Sequence, residues 1–165
     1  MKICILGGTG FVGRSLISAL SKENYTITVI TRDFDKNKDL AIYPNLKLIQ
    51  EDVYNEKRML EVSKSHDVLI NLIGILNEKG FRGKGFYLAH SKIARIILNV
   101  CKQNRIKRIL HMSALNADPG GSSHYLRTKG EAESFLHTYG ERFADVTSFR
   151  PVSYTHLTLP TKRIV

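Results

Sequence analysis

The sequence predicts an α/β fold, a doubly wound parallel sheet of six strands in the order 3-2-1-4-5-6 with helices on both faces. Three observations predict it. Apolar runs rich in β-branched residues recur at 2–6, 26–31, 46–50, 68–73, 108–112 and 145–149, and their unbroken hydrophobicity suits strands buried on both sides. Segments with helical spacing lie between them. A glycine-rich turn joins the first strand to the first helix.

Each helix rests on its own spacing. Phe11, Val12, Leu16, Ile17 and Leu20 place one apolar face on a helix over 11–21. Met59, Leu60 and Val62 do so over 55–64, Ile93, Ile96, Ile97 and Val100 over 86–103, and Leu126, Phe135 and Leu136 over 125–139. The stretches 77–85 and 118–123, rich in Gly, Ser and charge, read as surface loops. After Arg150 the chain reads PVSYTHLTLPTKRIV, with no helical period and a proline inside. That string resembles translated adapter DNA. The expected division is therefore a nucleotide-binding domain over 1–151 and a non-native tail over 152–165.

Composition narrows the function. The 165 residues are 42% hydrophobic and 24% charged, which fits one globular domain and neither a disordered nor a fibrous chain. The longest nearly apolar run, 68–76, is far shorter than the ~20 residues a membrane span needs. Met1-Lys2 leads straight into the first strand, so no signal peptide is expected. Cys4 and Cys101 form no CxxC pair, so two reduced thiols in a cytoplasmic protein are expected. The net charge of +10 includes one dense cluster, Lys102, Arg105, Lys107 and Arg108, where a helix should end and cations favour its dipole. No nucleic-acid motif accompanies it, and no nucleic-acid partner is expected. His66, His111, His124 and His137 lack the spacing of metal ligands, so no metal is expected.

The chemistry lies in two motifs. Gly7, Gly10 and Gly13 form G-x-x-G-x-x-G between a strand and a helix. Such a turn brings backbone close to a pyrophosphate and aims free helix N–H groups at it. At the end of the second strand Arg32 precedes Asp33. An acid there favours NAD and an arginine the 2′-phosphate of NADP, and the surrounding cations favour NADP(H) over NAD(H). Tyr125 and Lys129 then share a helix face one turn apart, with Ser113 just past the preceding strand. The ammonium is expected to lower the phenol's pKa.

On these residues the chain resembles the short-chain dehydrogenase/reductase superfamily, in its extended and atypical branches. It is most similar to the NAD(P)H-binding accessory-subunit family of respiratory complex I and its bacterial relatives. GGTGFVGRSL, VLINLIGIL at 68–76 and the segment 106–133 carry the likeness, which covers 1 to about 150. The resemblance implies a Rossmann-type fold truncated before a C-terminal substrate region. It also implies that Gly7, Thr9, Gly10, Phe11 and Val12, with Gly13, line the pyrophosphate turn. Arg32 would meet the 2′-phosphate, Asp52 and Val53 the adenine, and Leu72, Ile73 and Gly74 the adenosine ribose region. Ser113, Tyr125 and Lys129 match the catalytic positions, Lys129 also reaching the nicotinamide ribose. The usual helix asparagine is replaced near His90, which could relay protons instead. Two readings follow: a bound cofactor with a structural role in a respiratory or other membrane-associated complex, peripheral to the inner membrane through a partner, or an active NADP-dependent oxidoreductase or epimerase.

Overall fold

In the computed structural model, which describes residues 1–152 except Lys79 and Phe81, β1 (Lys2–Leu6) runs through the middle of the sheet. Its side chains alternate between two cores. Ile3 and Ile5 join Ile17, Ile27, Val29, Val68 and Ile70 on the face covered by α1 (Phe11–Leu20). Cys4 and Leu6 join Leu69, Ile93, Ile97, Ile109 and Leu136 on the other. With both faces covered, the core positions of a central strand are mostly apolar, which explains the continuous runs.

The strands are β2 (Thr26–Thr31), β3 (Leu46–Gln50), β4 (Val68–Asn71), β5 (Arg108–Met112) and β6 (Asp145–Phe149). All are parallel, in the order β3-β2-β1-β4-β5-β6, as the sequence predicts. The edge strands β3 and β6 are only partly buried. The order reverses direction between β1 and β4, and the crevice at that point lies beyond the strands' carboxyl ends.

The connections are α2 (Glu56–Val62), α3 (Lys84–Tyr87), α4 (Ile93–Gln103) and α5 (His124–Gly140), with a 3-10 segment over Asp35–Ile42. Asn55 and Ser123 cap α2 and α5 through their side chains. Two expectations are corrected. The fourth strand ends at Asn71 rather than 73, because the buried Asn71 carboxamide accepts the Ile73 N–H at 3.1 Å and bends the chain out of the ladder. The long helix expected over 86–103 is three pieces, α3, a π turn over Leu88–Lys92, and α4, and the widened turn carries His90 inward to be almost fully buried. The tail assigned to 152–165 lies, apart from the exposed Val152, outside the described residues.

Candidate dinucleotide and substrate cleft

The cleft starts at the turn after β1. Gly7 has φ +75°, and a side chain there would also press on the backbone of Leu72 and Ile73 at 2.9 Å. Gly13 serves packing: a Cβ on it would lie 2.4 Å from the Gly8 carbonyl oxygen, so α1 can approach β1 only through a glycine. Gly10 caps α1 without a side chain, which leaves the first-turn N–H groups open to an anion. Arg14 braces the turn from behind. Its Nε donates to the Thr9 carbonyl at 3.1 Å while its guanidinium holds Asp39 and Asn37 of the 3-10 segment.

Two hollows meet at this turn and share Gly7, Gly10, Leu72, Gly74 and Ile75. One, of about 290 Å³, runs over the ends of β2 and β3 past Thr9, Arg32, Val53, Tyr54 and Ile73. The other, of about 360 Å³, runs past Phe11, Val12 and Gly13 to Met112, Ser113, Tyr125, Lys129 and Pro151. Together they make one groove across the switch point, with the bulk and glycine floor that an extended dinucleotide needs. Every sequence-predicted site residue except Asp52 lines it. The exposed Asp52 instead turns its carboxylate onto the Tyr54 N–H at 2.9 Å, so it shapes the bend that presents Val53 and Tyr54.

At the end of the groove beyond β2 the two charges that follow this strand behave differently. Asp33 is tied to Lys36, accepting from its ammonium at 2.9 Å and its backbone N–H at 3.2 Å, and these contacts hold its pKa below the usual carboxylate range. Arg32 is exposed on the cleft and makes no ion pair among the described residues.

At the far end Lys129 is buried, and its ammonium donates to the Met112 carbonyl at 2.7 Å. Burial lowers its pKa to about 8. The expected effect on Tyr125 is corrected: burial raises the phenol's pKa, and the lysine has turned toward the end of β5. His90 differs from a proton relay as well. Its Nε2 accepts from the Ile75 N–H at 3.3 Å, and its Nδ1 donates to Thr128 Oγ1 at 2.9 Å, since that hydroxyl gives its own proton to the His124 carbonyl at 2.8 Å. Burial, then the Lys129 charge, lower its pKa to about 3, so the ring is neutral and both nitrogens are engaged. Stacked near Phe86 and edge-on to Tyr125, it acts as a strut between the β4–α3 loop and α5.

Sequence reasoning missed Tyr54, Ile75, Leu76, Met112 and Pro151 on the walls, and Glu133 behind Ser113. Tyr54 directly follows two expected residues, so its position was the available signal. Ile75 and Met112 likewise adjoin expected residues, whereas Leu76, Pro151 and Glu133 follow no spacing rule.

Among the described residues no helix is long and apolar enough to cross a membrane, and no cluster of three potential ligands could hold a metal. Residues 7–164 match a family model described as NAD(P)H-binding. The chain is 26% identical over 150 residues to the mitochondrial NADH-ubiquinone oxidoreductase 40 kDa subunit of Neurospora crassa, covering 89% of this chain and 39% of that protein. It thus spans well under half the length of this curated relative. Among solved structures it is similar to UDP-glucuronic acid 4-epimerase from Bacillus cereus in complex with NAD (TM-score 0.79, 22% identity, 92% of this chain and 57% of that one). It is also similar to yeast methylglyoxal/isovaleraldehyde reductase complexed with NADPH (TM-score 0.78, 16% identity, 92% and 58%). At these identities the two structures attest the fold alone.

Proposed function

The chain belongs to the NAD(P)H-binding family, and from that premise we propose that it holds NADPH in preference to NADH, in a role that does not require turnover. The observation that carries the preference is the contrast after β2, where Arg32 stands free on the cleft while Asp33 is occupied by Lys36. A guanidinium pairs with a phosphate in two parallel hydrogen bonds, and an acid already neutralised by lysine offers little to ribose hydroxyls. In this reading Gly7, Thr9, Gly10, Phe11, Val12 and Gly13 hold the pyrophosphate. Val53 and Tyr54 flank the adenine, Leu72, Ile73 and Gly74 the adenosine ribose, and Lys129 the nicotinamide ribose. When bound, the nicotinamide would supply a hydride donor or acceptor beside Tyr125.

Support for a role without turnover comes from the far end of the cleft. His90 has no nitrogen left to pass a proton, and Tyr125 is harder to ionise than a free phenol. The Neurospora relative is a subunit of NADH-ubiquinone oxidoreductase, and we propose the same kind of setting here, a membrane-associated respiratory complex reached through a partner. The second reading, an NADP-dependent oxidoreductase or epimerase, is favoured by Ser113, Tyr125 and Lys129 lining one hollow. There Tyr125 would pass the proton, Ser113 would contact the reacting oxygen, and Lys129 would orient the ribose.

Titration of NADPH and NADH into the protein, followed by nicotinamide fluorescence, tests the first reading. Tighter binding of NADPH is expected, and equal affinities would overturn the cofactor preference. Reduction of any member of a broad carbonyl panel would establish the enzymatic reading instead.

A further inference from the structure

Behind Ser113 lies a polar pair that the cofactor does not need. Ser113 is 2% exposed, and its hydroxyl lies 2.5 Å from Glu133 Oε2. Glu133, four residues beyond Lys129 on α5 and 8% exposed, is met from its other side by Arg150 at the end of β6. The Arg150 Nε donates to both carboxylate oxygens at 2.9 and 3.1 Å, and Nη2 lies 2.8 Å from Oε1. Burial alone would raise the Glu133 pKa, but the hydrogen bonds from Arg150 and Ser113 outweigh it and hold the group ionised. A carboxylate can only accept. The single proton of Ser113 therefore points away from the cleft, and the lone pairs of Oγ are what remain for a ligand. The backbone that carries the serine is fixed as well, since its N–H donates to the Phe149 carbonyl at 2.8 Å.

We propose that Glu133 is a positioning residue that makes Ser113 a hydrogen-bond acceptor, so that this end of the cleft takes an apolar secondary alcohol in preference to the matching ketone. The alcohol's O–H donates to Ser113 while its oxygen accepts from Tyr125, whose hydroxyl has no partner among the described residues. A ketone oxygen accepts from Tyr125 only and places its lone pairs against those of Ser113. The apolar class follows from the walls, since Phe11, Ile75, Leu76, Met112 and Pro151 face the same hollow. This inference rests on the proposed dinucleotide site, which supplies the other wall.

The experiment loads the chain with tetrahydro-NADPH, a nucleotide whose ring cannot exchange hydride, and titrates cyclohexanol and cyclohexanone by saturation-transfer NMR. The nucleotide's own signals in the same spectra report the loading, so a failed cofactor site is seen separately from a failed preference. Relative to Ser113→Ala, the wild type should favour the alcohol by about fivefold, the worth of one neutral hydrogen bond. Glu133→Gln should reverse this. Arg150 claims the new amide's oxygen, its NH₂ donates to Ser113 Oγ, and the serine proton is freed for a carbonyl. A merely structural glutamate would alter both affinities together. If Glu133→Gln does not fold, the comparison of wild type with Ser113→Ala decides alone. The same ratio in both, a wild-type preference for the ketone, or no binding of either probe to the loaded protein would overturn the proposal.

Discussion

At the scale of single residues, position along the chain identified the groups but not their directions. Spacing together with the family resemblance points to Ser113, Tyr125 and Lys129, yet the Lys129 ammonium goes to the Met112 carbonyl, while burial lowers its pKa and raises that of Tyr125. Asp52 shows the same limit: a local hydrogen bond from the Tyr54 N–H, which the sequence does not reveal, sets the direction of its carboxylate. Two outcomes follow from these geometries. Arg32→Ala should weaken NADPH by about 1.5–3 kcal/mol, the scale of a hydrogen bond to a charged group, and leave NADH nearly unchanged. Parallel fluorescence titrations check this, and equal losses for both would remove Arg32 from the 2′-phosphate. Lys129 bears on stability through pH. Below about 8 its ammonium is charged both folded and unfolded, so folding bears the whole cost of burying it. Between about 8 and the ordinary value of 10.5 the folded state has released a proton that the unfolded chain keeps, so stability of the cofactor-free protein from this group rises with pH. Lys129→Met should then stabilise the cofactor-free protein by about 1–3 kcal/mol at pH 7 while weakening NADPH. Thermal melts from pH 7 to 10 should show the advantage shrinking, and a constant difference would contradict the assignment.

Elements were legible where their burial is uniform. Strands buried on both faces announce themselves as apolar runs, and the first helix shows through Leu16, Ile17 and Leu20. The π turn was hidden because the residues that signal the helix, Ile93, Ile96, Ile97 and Val100, all follow it and keep ordinary spacing. The 3-10 segment was missed since its polar stretch, with only Leu40 buried, has no period to read. The approach of α1 to β1 gives a prediction at this scale. In Gly13→Ala the new methyl would meet the Gly8 carbonyl carbon at 2.5 Å, and backbone cannot rotate aside as a side chain could. The helix must move outward, carrying the pyrophosphate turn with it. A loss of about 1–3 kcal/mol in urea unfolding is expected, together with loss of NADPH binding. Unchanged affinity would show that the turn does not depend on this contact.

For the molecule as a whole, strand order was readable because alternating strands and helices with right-handed crossovers leave few arrangements, and the glycine turn fixes which strand is central. The boundary at 151 remains a proposal about composition. Pro151 belongs to the fold, as its carbonyl accepts the Leu115 N–H at 2.9 Å and the residue lines the cleft. Removal of residues 152–165 should leave the melting temperature unchanged, and a fall of more than about 4 °C would mean that these residues pack natively. The place of β1 in the middle of the sheet bears on how the chain is made. Synthesis delivers β1, β2 and β3 first, and these can pair at once. The other edge of β1 must wait for β4, with the loop and α2 still to be translated at about 5–20 residues per second. For a second or more the strand destined for the deepest position is an open, apolar edge on the ribosome, the kind of surface on which neighbouring nascent chains pair wrongly. A holdase chaperone that engages between residues 50 and 71 would find its target there.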